Sequence, residues 1–491
     1  MYKRLFPKSK LIDPTHIEGC KLWLDASVGG NVKSGNSAQF TAANSEYLSI
    51  ADNAALSMGD IDFTIAGWFY FDSFPSAGNN MALVGKWGLG DNEYVIHLNN
   101  AAGVITLRFV TRNTANTVST SAISSVTPST ATWYFVAVYH NATTNLIGIS
   151  INDGAFVTTA TTGGVRDAAN TFEIGRFDAT YFLDGRAHDV IIAKQIYTAA
   201  EITFLYNSGN GRRFEDLGLA GTDGANINAA SGGVAYFKLG EESGTRADSW
   251  GSNTLTDNAT VTQNDGVSLK DAVNNDNVRQ WTDLSGNGNN FTQTGNVTKK
   301  PKFINSSGGL IRFDGVDDIL TAVNFDSSTS GTLFVVFKLA ATTNGQHLFS
   351  SSDEGTTSYL WNNAVRLDAT DTGLYYQQRN NDTLDRIVGG STIGTSEFQI
   401  AMFKSDGSTL EIGINGTLET LTVRSGANNG DWVGDTTLRD NFTIGAGKTT
   451  SEGNFLNGDI KMIVYYNRAM NAGELKRAFR NFGRECGIAV T

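Results

Sequence analysis

Cysteine, proline, histidine and long apolar runs are all scarce in this chain of 491 residues. Two cysteines, Cys20 and Cys486, are too few for a disulfide framework and cannot supply a structural zinc site. They leave either one candidate disulfide between the two ends of the chain or two small buried side chains. The five histidines stand far apart, and no HExxH, HxH, GxSxG or P-loop pattern occurs. No run of about 18 apolar residues is present, so no transmembrane helix or membrane insertion is expected. The amino-terminal stretch MYKRLFPKSK lacks the apolar core of a secretory signal, so no signal peptide is expected. The formal charge is −12, without a basic cluster dense enough for a phosphate-binding face, which argues against nucleic acid as a partner.

What the chain has instead is 54 glycines, with serine, threonine and asparagine between short apolar runs, the composition of many strands joined by turns. Its length calls for two cores. The run FTIAGWFYF at residues 63–71 places Phe63, Ile65, Phe69 and Phe71 on one strand face and Trp68 and Tyr70 on the other. Asn152, Asp153 and Gly154 form a tight-turn signal after the apolar strand that ends at Ile151. Thr198 and Glu201 read as a capping box that opens a short helix.

The order of these signals recurs. FEIG at 172–175 is matched by FTIG at 442–445, and FLDG at 182–185 by FLNG at 455–458. INDG at 151–154 matches ING at 414–416, and the AQF and YL segments at 38–48 match IRF and IL at 311–320. The chain therefore carries one fold twice. Each copy needs an opening strand, available at 22–27 (LWLDAS) and 237–243 (FKLGEES), and a glycine-rich loop, available at 248–255 (DSWGSNTL) and 283–290 (DLSGNGNN). Both loops follow the first copy and precede the body of the second, an order that points to one copy nested in the other, the alternatives being a tandem with a degenerate first copy or strands exchanged between neighbouring domains.

On these segments the chain resembles the laminin-G-like jelly rolls of the concanavalin A-like lectin/glucanase superfamily. One subfamily pairs an LWLDAS strand with a WxDxSGNGNN loop and an RFDGxDD strand, here residues 312–318; another pairs a GTRxDS opening with an AQFTAANSEYLS strand, here residues 38–49. The resemblance implies an all-β chain of two jelly-roll β-sandwiches, the first circularly permuted and inserted into the second. The implied parts are an arm at 1–16, a split domain at 17–32 plus 268–491, and an inserted domain at 33–267. The GLAGTDGANINAASGG segment at 218–233 suits a joining linker. Similar modules are common in tailed-phage virion proteins. The resemblance thus implies a non-enzymatic virion structural protein, a capsid decoration or head-fibre protein assembled in the host cytoplasm. Its implied partners are the major capsid protein or another virion protein, and host or environmental glycans. The rival expectations are a calcium-dependent carbohydrate-binding module of a cell-surface or secreted protein, and a glycan-active hydrolase.

Three groups of residues are candidates for chemistry. Lys3, Arg4, Lys8 and Lys10 stand against Asp13, either as a frayed terminus or as an anchor on an acidic assembly. Asp283, Asn287 and Asn289 offer hard oxygen ligands for Ca²⁺ on a loop that glycines let curl. By resemblance to calcium-bearing relatives Asp459 joins them, and Asp248, Asn253 and Asp189 hold comparable places in the other copy. The alternative is Asx-turn chemistry, in which Asp and Asn cap their own backbone. Asp314, Asp317 and Asp318 read as a turn with a solvated face. Trp87, Trp361, Tyr375, Tyr376 and Trp432 are candidates for stacking on sugars, against the alternative of core packing. Glu241 and Glu242 are adjacent, so on a strand they point to opposite sides and cannot flank one glycosidic bond. No enzyme is expected.

Overall fold

In the computed structural model the described residues are 13–491 apart from 89, 273, 295 and 367; Lys3, Arg4, Lys8 and Lys10 of the arm lie outside them. The chain divides into two compact units, Gly35–Ser268 and the remainder, residues up to Ser34 together with Leu269–Thr491. Both are all-β sandwiches.

The inserted unit, Gly35–Ser268, packs two antiparallel sheets. One runs in the order Thr256–Asn258, Tyr47–Ile50, Phe172–Ile174, Asn80–Lys86, Tyr94–Ala101, Val104–Arg112, Ser119–Ile123. The other runs Gly233–Phe237, Gly185–Ala193, Phe63–Phe71, Trp133–Asn141, Leu146–Ile151, Val157–Ala160. Alternation along Phe63–Phe71 decides what goes where. Phe63, Ile65, Phe69 and Phe71 enter the core between the sheets. Trp68 points outward to α1 (Ala199–Tyr206) and stacks on Tyr206 at 5.7 Å. Helix α1 opens on the Thr198–Glu201 capping box. The 218–233 segment is more than a linker: Ile227 is buried beside α1, and Gly224 sits so close to the Phe204 ring that a Cβ would collide with it.

The split unit repeats the plan. Its first sheet runs Lys302–Ile304, Leu310–Asp314, Asn457–Tyr466, Gly331–Leu339, Gln399–Ser405, Leu410–Ile414, Thr417–Leu418, and Cys20–Asp25 also pairs with Asn457–Tyr466. Its second sheet includes Leu320–Val323, Asn441–Ile444, Gln346–Ser352, Leu360–Val365, Leu374–Asn380, Thr383–Gly389 and Leu421–Ser425. Leu333, Val335, Trp361, Tyr376 and Tyr465 fill the space between the sheets. Helix α2 (Ala472–Cys486) covers the outer face of the first sheet, with Phe479 and Phe482 edge-on to Phe334 at 5.4 and 5.2 Å.

The recurring glycine motifs have one physical cause in both units. Gly175 and Gly445 adopt φ of 87° and 85°, a region that side chains disfavour. Each faces an aromatic ring, Phe40 and Phe313 respectively, where a Cβ would collide. The carbonyls of Gly175 and Gly445 accept the N–H of Leu183 and Leu456 at 2.8 and 2.7 Å, which fixes the following FLxG segment. At the end of that segment Gly185 and Gly458 lie against the carbonyls of Tyr70 and Lys338, again with no room for a Cβ.

Gly185→Ala and Gly458→Ala therefore each cost about 2–3 kcal/mol by overpacking, one in each unit. Calorimetry is expected to resolve two unfolding transitions, with each variant lowering a different one by roughly 5–10 °C. A single transition moved equally by both variants would show that the units do not melt independently.

Candidate functional site

The outer face of the second sheet of the split unit is polar, and the strand period explains why. Phe349, Trp361, Tyr376 and Ile387 alternate into the core. That turns Ser350, Asn362, Gln377 and Arg386 outward in one rung across four strands, extended at one end by Thr443. The next rung brings Ser352, Leu360 and Arg379 together on the same face. His347 stands beside a bulge in its strand.

Buried polar groups require partners. The Arg386 Nε and Nη2 both donate to Gln377 Oε1, at 2.8 and 2.5 Å, so the Gln377 amide nitrogen is left as an outward donor. His347 is 1 % exposed, and burial pulls its pKa down to about 4, so the ring is neutral. Its Nε2 lies 2.9 Å from Asn362 Nδ2 and 3.2 Å from Asn454 Nδ2, and its Nδ1 3.1 Å from Ser350 Oγ. A neutral ring that accepts from two amides at Nε2 carries its proton on Nδ1, toward Ser350. Asn362 Oδ1 and Arg379 Nε remain buried without a partner. Above this network opens a cavity of about 230 Å³ lined by His347, Thr357, Gln377, Arg379, Gly447 and Asn454 among others. Its lining contains one cation and no carboxylate.

The roof is a small hairpin, Gly447–Lys448 paired with Glu452–Gly453. The inserted unit has the same hairpin, Arg176–Phe177 paired with Tyr181–Phe182. The offset that aligns FEIG with FTIG sets Phe177 against Gly447, and the offset that aligns FLDG with FLNG sets Tyr181 against Asn454. Phe177 and Tyr181 lie 4.8 Å apart between ring centroids, with Phe177 5.3 Å from the His97 ring, and pack on Ala82, Val95 and Val110. In the split unit Gly447 lets the hairpin approach His347, to where a Cβ would stand 2.8 Å from Nδ1, yet supplies no side chain to fill the space. One fold is plugged by two rings, and its second copy is open.

The aromatic candidates do not form this site. Trp361, Trp432 and Tyr376 are core residues: Trp361 and Trp432 meet at 5.1 Å, and Trp432 Nε1 donates to the Tyr465 hydroxyl at 3.0 Å. Tyr375 faces outward but is buried with Ala364 and Val388, and Trp87 is half-buried beside Phe177 and Tyr181. Trp361, Tyr375 and Trp432 therefore offer no ring face to a sugar. The residues that do line the cavity are ordinary polar types spread over several strands, and no local motif marks them.

The loop carboxylates are fasteners. Asp283 Oδ1 accepts from the N–H of Trp23 at 3.0 Å and Ser285 at 2.8 Å; Oδ2 accepts from Ser285 Oγ at 2.8 Å and Asn289 N–H at 3.0 Å. Asp248 is used the same way: Oδ1 takes Tyr236 and Trp250 N–H, both at 3.0 Å, and Oδ2 takes the backbone and amide N–H of Asn253 at 3.2 and 2.8 Å. All four lone-pair sites of each carboxylate are engaged, so these residues do not fit a calcium ion without losing the loop. Asn287 and Asn289 turn their amide nitrogens onto Cys20 and Lys21 carbonyls. Asp459 is paired with Arg312 at 2.8 and 3.1 Å. It also stands five residues along its strand from Val464, the register partner of Trp23, roughly 16 Å from the Asp283 loop at 3.3 Å per residue. Asp189 is held by His188 at 3.1 Å and by the Tyr236 hydroxyl. Cys20 and Cys486 are free thiols, each pushed up to about 12 by burial, and Cys20 Sγ turns to the Leu22 carbonyl at 3.7 Å.

Asp318 departs from the solvated turn expected of it. It is buried, with Oδ2 accepting the Asp314 N–H at 2.8 Å, and burial together with the charges of Asp314 and Asp317 pushes its pKa up to about 8. Among the described residues this is the one place where three acidic, histidine or cysteine ligand atoms gather.

A match to a known family falls within the inserted unit. Residues 42–203 match the family model of the concanavalin A-like lectin/glucanases superfamily. No curated protein matches the chain. Similar solved structures include the CBM40 of the Ruminococcus gnavus IT-sialidase bound to α2,3-sialyllactose, with 16 % identity, 31 % of this chain and 84 % of that one covered, and a TM-score of 0.28. Domain 4 of AbnA, an extracellular arabinanase of Geobacillus stearothermophilus in complex with arabinotriose, shows 14 % identity over 40 % of this chain and 90 % of that one, with a TM-score of 0.30. Domains LG4-5 of the mouse laminin α1 chain show 6 % identity over 92 % of both chains, with a TM-score of 0.25.

Two outcomes follow from the carboxylates. The split unit should unfold at the same temperature in calcium and in chelator, whereas Asp283→Ala should lower its midpoint by removing four bonds at once. A midpoint raised by calcium and insensitive to chelator-free Asp283→Ala would reverse that assignment. For Asp318 the folded pKa lies above the unfolded one, so its contribution is fully present below about pH 4 and is lost as pH rises toward 8. The split unit's midpoint should accordingly fall between pH 5 and 8, and Asp318→Asn should flatten that fall.

Proposed function

We propose that this chain is a non-enzymatic glycan-binding structural protein of a phage virion, a capsid decoration or head-fibre protein, with its sugar site in the cavity beside His347. The observation that carries the glycan reading is the replacement of Phe177 and Tyr181 by Gly447 and Asn454, which opens a polar cavity where the other copy of the fold is filled. Sugar hydroxyls are both donors and acceptors, and they are discriminated by fixed polar groups in a largely preformed site. The Gln377 amide nitrogen, Arg379 and Asn454 supply such groups, and the neutral His347 ring holds Asn362 and Asn454 in place. At about 230 Å³ the cavity is smaller than a drug-sized site and suits a single sugar residue at the end of a chain. Glycoside hydrolysis uses two carboxylates, and none lines the cavity.

The virion setting, with the major capsid protein or another virion protein as partner, rests on the resemblance of the GTRADS and AQFTAANSEYLS segments to modules of tailed-phage particles. We also infer that the inserted unit is a circular permutant. Cys20–Asp25 comes first in its unit and pairs with Asn457–Tyr466, whereas Gly233–Phe237 comes late in its unit and pairs with the matching strand Gly185–Ala193.

On a glycan array the protein should bind a defined set of saccharides. Gln377→Ala and Arg379→Ala should each weaken that binding about tenfold, as expected for loss of a hydrogen bond to a buried ligand. Asn454→Tyr, which restores a ring to the roof, should abolish it. Binding that survives all three substitutions would place the site elsewhere, and no binding to any glycan would remove the function. Mass spectrometry of purified particles should find the chain at a fixed stoichiometry; its absence would remove the virion setting alone.

A further inference from the structure

We propose that the exposed face of α2 is a docking surface for an acidic protein, recognised by a row of cations that the chain itself leaves unpaired. Helix α2 spends its apolar side, Leu475, Ala478, Phe479 and Phe482, on the sheet beneath it. The other side presents Lys476, Arg477, Arg480 and Arg484, all exposed, along a shallow groove that also includes Asn481. Elsewhere many cations meet carboxylates, as Lys86 does Asp52 and Glu93, Arg166 Asp91, Arg176 Glu173, Arg312 Asp459 and Arg424 Asp371, while others such as Arg108, Arg112 and Arg439 donate to neutral oxygens. Among the described residues none of the four on α2 forms an ion pair, and the acid nearest in sequence to the first two, Glu474, is taken by Arg468 at 2.7 and 3.0 Å.

The helix dipole favours Arg484, which stands in the last turn, but neither it nor helix stability accounts for the other three. Lys476 with Arg480, and Arg480 with Arg484, are like charges four residues apart, an unfavourable spacing. Lys476 and Arg477 stand near the amino end, where the dipole disfavours cations. The row lies in a chain whose net charge is −12. Within that chain Gly35–Ser268 holds 11 lysines and arginines against 22 acids, and the rest 26 against 27. Unit and chain alike therefore lack the net positive field that gathers nucleic acid at long range. A membrane surface would need an apolar side facing lipid, and that side of α2 is already buried. What remains is short-range recognition of carboxylates. Three of the four cations are arginines, whose planar fork matches a carboxylate in bidentate fashion. Residues 476, 480 and 484 are spaced by about 6 Å along the axis, close to the spacing of alternate residues on a strand or of every fourth residue on a helix. An acidic strand or helix on a partner protein fits that row. The arm joins the described structure next to this surface: the Pro14 carbonyl accepts from the Tyr466 hydroxyl at 3.2 Å, and Ile17 packs in the cluster that seats α2. Lys3, Arg4, Lys8 and Lys10 precede it in sequence.

The test is fluorescence anisotropy of a labelled oligoglutamate peptide with the full chain at low and high salt. Binding should weaken about tenfold or more in the triple variant Lys476→Gln, Arg480→Gln, Arg484→Gln, and at high salt. Arg480→Lys with Arg484→Lys should lose part of it, because lysine keeps the charge and not the fork. All positions are exposed, and an unchanged unfolding midpoint would confirm that the variants are folded. Equal binding by the triple variant and the parent overturns the proposal, as does loss on removing residues 2–12 alone with no effect of the helix substitutions. Tighter binding of duplex DNA or of anionic phosphatidylserine vesicles through these residues would overturn the assignment to protein. Glycan binding should be unaffected in every variant, so a failure here is distinguishable from a failure of the sugar site.

Discussion

One carboxylate closes the split unit. Asp283 accepts the N–H of Trp23, 260 positions earlier in the chain, and the remaining bonds to its oxygens hold its own loop in shape. That contact, with the Leu284 N–H donating to the Trp23 carbonyl at 2.8 Å, ties the loop to the strand Cys20–Asp25, which its own ladder holds beside Asn457–Tyr466, and the sandwich is completed around an entire second domain. The entropy of closing so long a loop rises only with the logarithm of its length, and a folded insert whose ends meet reduces it further. The ends do meet: Gly266 packs against the backbone of Gly35. In the inserted unit Asp248 makes the same fastening to Tyr236 across only 12 positions. A single interaction thus serves one copy at long range and the other locally, which is what nesting one fold inside another requires.

Given that shared frame, the two copies differ where a small change has a large effect. The hairpin after the FxIG strand roofs the outer face of a sheet in each unit. Phe177 and Tyr181 make that roof solid in one, and Gly447 and Asn454 make it hollow in the other. Interiors are packed closely, so removing two rings leaves either a collapse or a cavity. Here the glycine brings the hairpin nearer to His347, and the residual space is bounded by two amides, an arginine and several hydroxyls together with Leu360. A polar hollow of this kind favours water or a hydroxyl-rich ligand.

Much of the architecture was legible in the residues. The period-two strands, the Thr198 cap, the repeated FxIG and FLxG segments and the two aspartate loops all report local rules that tertiary structure leaves in force. The aromatic assignments failed for the opposite reason. Trp361 precedes Asn362 and Trp432 follows Asp431 in sequence, and only the tertiary structure shows that their rings meet inside the core. Asp459 and Asp283 look alike as acids on turns, but strand register sets them far apart and gives Asp459 to Arg312. The cavity residues lie between 347 and 454 without a spacing that marks them. Their signal was the exchange of Phe177 for Gly447 between aligned segments, which acquires meaning only once the hairpin is known to be a roof. The cations of α2 stand in the sequence as KRAFRNFGRE, too sparse to mark a basic cluster until a helix places them on one face.

The split unit then has two outer faces with opposite chemistry. One sheet carries α2, whose apolar side is consumed by Phe334, Val464 and their neighbours and whose basic side faces out. The other sheet carries the cavity, lined by amides, hydroxyls, His347, Leu360 and one arginine. The common core of Leu333, Trp361 and Tyr465 lies between them, so the two faces point away from each other across a layer about 10 Å thick. A ligand in the cavity and a protein against α2 do not compete for space. The basic face depends on ionic strength and the cavity on hydrogen-bond geometry, so salt should release one without releasing the other. On the two proposals above, an acidic partner would sit on one side while the opposite side stayed free to meet a sugar.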